Sequence, residues 1–136
     1  MVHVILGTKG SGNTRDLVEA INKYLEREKG SMVCLEKGDD LRFDVDHRVR
    51  LLNVSEFGIE NYTFLRGFIS GLYGNNFDLR HVFIDNLYKV ANSSDASEAE
   101  AFMEWCEHFS DTYDVEFTIA VSDDPRNVPY GIRKHA

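Results

Sequence analysis

The sequence predicts an α/β protein, a three-layer αβα sandwich built on a mostly parallel sheet. Short apolar runs alternate along the chain with segments of helical period. Several of those runs are continuously apolar, as strands covered by helices on both faces are. At 136 residues, with no internal repeat and no linker of biased composition, the chain fits one domain, residues 1–136.

Val2-His3-Val4-Ile5-Leu6, ended by Gly7, reads as the first buried strand. Beyond a glycine-rich loop, Leu17, Val18, Ile21, Tyr24 and Leu25 recur at helical spacing, with Gly30 as the expected terminating glycine. Met32-Val33-Cys34-Leu35 is the second strand. Lys37 to Asp40 is a turn, and alternation from Leu41 to Val45 predicts a hairpin arm. Arg50 to Val54 is a third strand. Tyr62, Leu65, Phe68, Ile69, Leu72 and Tyr73 mark a helix broken by Gly74-Asn75-Asn76. His81 to Asp85 is a short strand closing on an acid. Ser97 and Glu100 form a capping box for a helix carrying Phe102, Met103, Trp105, Cys106 and Phe109. Val115 to Val121 is the last strand, and the tail has room for a short helix.

Composition narrows the function. Fifteen Lys and Arg against 23 Asp and Glu leave a formal net charge of −8, a field that repels phosphate backbones and anionic membranes. Binding to nucleic acid or to a membrane is therefore not expected. No apolar run reaches the roughly 18 residues of a membrane span. No signal peptide is visible, so the expected location is cytoplasmic. Cys34 and Cys106 lie in apolar contexts without metal or redox spacing and read as buried, reduced thiols.

The loop Gly7-Thr8-Lys9-Gly10-Ser11-Gly12-Asn13-Thr14 stands between a strand and a helix. Its spacing approaches G-x-x-x-x-G-K-[ST], the phosphate-binding pattern in which glycines let backbone N–H groups turn inward around a phosphate. The helix N-terminus adds partial positive charge. Gly7 and Gly12 have the required separation, and Thr14 holds the hydroxyl position that ligates Mg²⁺. Asn13 stands where the pattern has lysine. It keeps a donor but loses the positive charge and the reach. Lys9 and Arg15 are nearby cations that could partly substitute.

Here the chain resembles the P-loop NTPase superfamily. More narrowly, it is similar to a small bacterial family of uncharacterised P-loop proteins often labelled twitching-motility ATPase-like. The resemblance rests on Gly7 to Thr14, on Glu36-Lys37-Gly38-Asp39 after the second strand, and on Phe83-Ile84-Asp85. It implies a P-loop NTPase-like fold, RecA-like or related, with ATP or GTP and Mg²⁺ as ligands. Gly7, Thr8, Lys9, Gly10, Ser11, Gly12, Asn13, Thr14 and Arg15 would surround the phosphates, with Thr14 and Asp85 arranging Mg²⁺. Lys9 is one position from the extra lysine of the deviant loop in partition-type ATPases, where this chain has Thr8.

Hydrolysis also needs a group that positions the attacking water. Asn86, not a glutamate, follows Asp85. Glu36 and Glu56 both sit just past strand ends, where a parallel sheet opens its ligand crevice, and are the candidate catalytic acids. Ser122 and Asp123 could sense phosphate from the end of the last strand.

Other constellations fail. The five histidines show no metal-ligand spacing. Asp44 and Asp46 begin like a calcium loop, but Arg48 and Val49 break it. Phe57, Tyr62, Phe64, Phe68, Tyr73 and Phe77 lack the interleaved basic residues of a base-stacking surface. The expectation is nucleoside triphosphate binding with weak or no hydrolysis. The alternative is a degenerate P-loop domain serving as a non-catalytic interaction or regulatory module, with a protein partner or a second copy of itself.

Overall fold

A computed structural model describes residues 1–136. Five strands, β1 (Val2–Gly7), β2 (Ser31–Glu36), β3 (Val49–Asn53), β4 (Leu79–Ile84) and β5 (Glu116–Ser122), form one sheet in the order β1-β5-β4-β2-β3. Every neighbouring pair is parallel. The helices are α1 (Asn13–Leu25), α2 (Tyr62–Asn75), α3 (Leu87–Val90), α4 (Ala96–Tyr113) and α5 (Tyr130–Arg133).

The pleat sorts side chains between two apolar layers. On β2, Met32 and Cys34 pack with Leu17 and Ile21 of α1, while Val33 and Leu35 join Leu65 and Ile69 of α2 and Phe102 and Met103 of α4. The two layers are unequal, with 26 buried residues on the α2–α4 side and seven on the α1 side, so most of the buried apolar surface is on the former. Both faces are thus covered, which is the three-layer arrangement expected. The thinner layer contains a polar pair: His81 and Thr118 are joined by a 2.8 Å hydrogen bond. The His81 ring stacks on Phe83 at 3.9 Å with Tyr24 edge-on at 4.2 Å. Burial pushes the His81 pKa down to about 3, so the ring is neutral near pH 7.

Four local expectations need correction. No hairpin forms at Leu41–Val45. Asp40–Phe43 is a 3-10 turn, because Glu36 accepts the N–H groups of Asp40 and Leu41, and Leu41 buries in the α1 layer. Gly30 does not cap α1, which ends at Leu25. Its missing side chain instead admits Arg80, whose Cγ would lie 2.4 Å from an added Cβ. Ser97 and Glu100 do not form a capping box. Asp95 caps α4 by accepting from Glu98 N at 3.0 Å, and Glu100 instead holds Gly131 N of α5 at 3.0 Å. Val54 lies beyond the end of β3, in the 3-10 turn Val54–Phe57. The short helix α5 in the tail is present, with Ile132 buried. No helix is long and apolar enough to cross a membrane.

Because all five strands run the same way, the segments that follow them leave from one edge of the sheet. The leading ends of β1, β5, β4 and β2 are neighbours there, and that edge holds the candidate site.

Candidate functional site

The strand ends surround a cleft of about 400 Å³ with no apolar residue in its lining. The loop after β1 contributes Lys9, Gly10, Gly12, Asn13 and Thr14. Glu36, Lys37 and Asp40 come from the end of β2 and the turn beyond it. Asp85, Asn86 and Lys89 follow β4, and Ser122 ends β5.

The loop is shaped by two glycines in the left-handed region, Gly10 at φ 85° and Gly12 at φ 97°, where an L side chain would be strained. Ser11 N bonds back to Thr8 O at 3.0 Å, and Asp16 N makes the first helical bond to Gly12 O at 2.9 Å. The N–H groups of Lys9, Gly10, Gly12, Asn13 and Thr14 have no acceptor within the protein. Unpaired N–H groups gathered at a left-handed turn and a helix start form a concavity suited to an anion.

Asn13 is buried, and its amide is turned back into the loop. Nδ2 lies 3.1 Å from both Gly7 O and Val121 O and 3.4 Å from Ser122 Oγ, while Oδ1 accepts from Ser11 Oγ at 3.2 Å. The side chain staples the end of β1 to the end of β5. Asp123 N adds a 2.9 Å bond to Gly7 O, and the Asp123 carboxylate accepts from Tyr88 Oη at 2.8 Å.

Thr14 and Asp85 meet although 71 positions separate them: Thr14 Oγ1 donates to Asp85 Oδ1 at 3.1 Å. The Asp85 backbone is tied to β2 through its N–H and Leu35 O at 2.9 Å. Burial pushes the Asp85 carboxyl above the usual carboxylate range; the Thr14 hydrogen bond and the Lys89 charge pull it back, and the Asp40 charge adds to the rise. Glu36 is buried, and burial raises its carboxyl too, against the backbone bonds from Leu41 and Asp40 at 3.3 and 3.1 Å.

The donors offered to a metal are oxygen only, the Thr14 hydroxyl and the Asp85 carboxylate. No cluster of three or more His, Cys, Asp or Glu side chains is placed to hold an ion. That set does not make an all-protein cage, but it fits Mg²⁺, which keeps waters and takes one or two carboxylates together with substrate phosphates.

The structure brings Lys9, Gly10, Gly12, Asn13, Thr14, Glu36 and Asp85 together in one cleft. Gly7, Thr8 and Ser11 build the loop but do not line the cleft. Arg15 turns away, its guanidinium over Gly12 and its Nε 3.8 Å from Asp16 Oδ1. Glu56 stands apart from the cleft, exposed in the turn after β3, the edge strand beyond β2. Lys37, Asp40, Asn86 and Lys89 were not singled out from the sequence as site residues. Lys89 belongs to a helix of four residues, too short to give a period, and Asn86 precedes that helix at φ 60°. No protein-family model matches the chain, and no curated protein matches it.

Proposed function

We propose that this cleft binds the phosphates of a nucleoside triphosphate, ATP or GTP, together with Mg²⁺, with weak or no hydrolysis. The observation that carries the reading is the Thr14–Asp85 pair, hydroxyl against carboxylate at 3.1 Å, beside a left-handed loop with unpaired N–H groups. Its location at the carboxyl ends of parallel strands, where connections leave toward opposite faces, supports the same conclusion. In this reading the domain is P-loop NTPase-like. The loop N–H groups hold phosphate oxygens, and Thr14 and Asp85 hold Mg²⁺. When bound, that ion neutralises phosphate charge. Turnover is slow for two reasons. The residue at position 13 is neutral and its amide is already bonded to Gly7 O and Val121 O. The Glu36 carboxylate is bonded to backbone N–H groups instead of being free to orient a water.

Calorimetric titration with ATP, GTP and ADP, in Mg²⁺ and in EDTA, tests the proposal. Wild type should bind, and Asp85→Asn should weaken binding in Mg²⁺ while changing little in EDTA. No binding of any of the three would overturn it. Equal loss in both conditions would remove the metal role of Asp85.

A second reading, a degenerate P-loop domain acting as a non-catalytic interaction or regulatory module, is favoured by one observation. Between α2 and α4 an aromatic groove of about 410 Å³ leaves Phe77 68% and Tyr113 43% exposed. Light scattering with and without nucleotide would reveal self-association through such a face.

A further inference from the structure

We infer that Lys89 supplies the phosphate-facing positive charge that position 13 lacks, an assignment that rests on the reading of the cleft as a nucleotide site. The first turn of α1 brings no cation to the cleft, because Asn13 is neutral and turned onto Gly7 O and Val121 O. Three lysines line the cleft: Lys9, Lys37 and Lys89. Lys9 precedes Gly10 in an exposed loop and Lys37 precedes Gly38 in an exposed turn, both glycines at positive φ. Lys9 has exposed neighbours on both sides, and Lys37 has a buried neighbour, Glu36, on one side only.

Lys89 differs in how it is carried. It sits on α3, between Leu87 at 0% and Val90 at 1% exposure, so the helix is fixed to the core while the lysine side chain stays exposed at the cleft. The helix starts two residues after Asp85, through the left-handed Asn86, and its turns are closed by Lys89 N and Val90 N bonding to Asn86 O at 3.1 Å. Lys89 thus lines the same cleft as Asp85, whose ionised form its charge favours. An ammonium lining the cleft can make a charge-assisted hydrogen bond to a phosphate oxygen, roughly twice as strong as one from a neutral amide.

The test uses Lys89→Gln, Lys89→Arg, Lys9→Gln and Lys37→Gln, each titrated with MgATP and MgGTP beside wild type. All three positions are exposed, so urea midpoints should match wild type and confirm that folding is intact. Lys89→Gln should raise Kd by about tenfold or more, the scale of a lost hydrogen bond to a charged group. Lys89→Arg should restore most of that loss, Lys37→Gln should stay within roughly threefold of wild type, as exposed charges do, and Lys9→Gln should lose clearly less than Lys89→Gln. If wild type binds and Lys89→Gln binds equally well, or if Lys9→Gln or Lys37→Gln carries the loss, the assignment of Lys89 is overturned and the nucleotide reading stands. If wild type binds neither nucleotide, both fall.

Discussion

Replacing Asn13 with alanine measures what this buried side chain does for the fold. Its amide offers two hydrogens to three acceptors, Gly7 O and Val121 O at 3.1 Å and Ser122 Oγ at 3.4 Å, so two hydrogen bonds are the most it donates at once. A net value of about 1 kcal/mol each puts the cost of Asn13→Ala near 2 kcal/mol. For a chain of this length that corresponds to a fall in Tm of about 6–10 °C. Asn13→Asp is the sharper control. It keeps the shape, removes both donors and sets an anion against two carbonyl oxygens, so it should cost more than alanine. Urea unfolding followed by tryptophan fluorescence and far-UV circular dichroism gives both values. Stability of Asn13→Ala within about 0.5 kcal/mol of wild type, the scatter of a neutral surface change, would refute the stapling role. Asn13→Lys should separate two effects. A lysine at this position is expected to strengthen nucleotide binding by about 1.5–3 kcal/mol, while the unliganded variant loses the staple and melts earlier.

Three further outcomes follow from the same structure. Asp95→Ala removes the acceptor for Glu98 N at the start of α4 and should cost about 1 kcal/mol in urea unfolding. His81 is held neutral by burial, with its pKa lowered to about 3, so the unfolded chain binds the proton more tightly and stability falls as pH drops below the ordinary imidazole value. The slope from this group reaches about 1.4 kcal/mol per pH unit, so His81→Gln should lose about 2 kcal/mol less than wild type between pH 7 and pH 5. Cys34 and Cys106 are buried, and burial raises both thiols, so a thiol-specific reagent should leave native protein unlabelled and modify both in urea.

The parallel α/β architecture was legible because short apolar stretches in β1, β2, β4 and β5 alternate along the chain with α1, α2 and α4, which are long enough to show a helical period. The Leu41–Val45 pattern misled: its alternation belongs to a turn fixed by the buried Glu36 carboxylate, a contact no local pattern encodes. Glu36 and Glu56 look alike along the chain, each just past a strand. Only the strand order separates them, with β2 beside β4 and β3 at the far edge. The Thr14–Asp85 contact was readable from the loop pattern and the acid-terminated strand. The turning of Asn13 onto β5 was not, since its partners Val121 and Ser122 lie more than a hundred positions away. Lys89 lay outside any pattern, because a helix of four residues has no period to read.

Amide hydrogen exchange at residues 9, 10 and 12–14 tests the central claim most directly, because the reading assigns those unpaired N–H groups to phosphate oxygens. At saturating MgATP or MgGTP, exchange at Lys9, Gly10, Gly12, Asn13 and Thr14 should slow by about tenfold or more, as expected for unpaired amides that gain charge-assisted acceptors. Amides in the middle of α4, already bonded in the helix, should not change. Exchange at residues 9, 10 and 12–14 unaltered by nucleotide, or protection that appears only along the Tyr73–Tyr113 groove, would contradict the account.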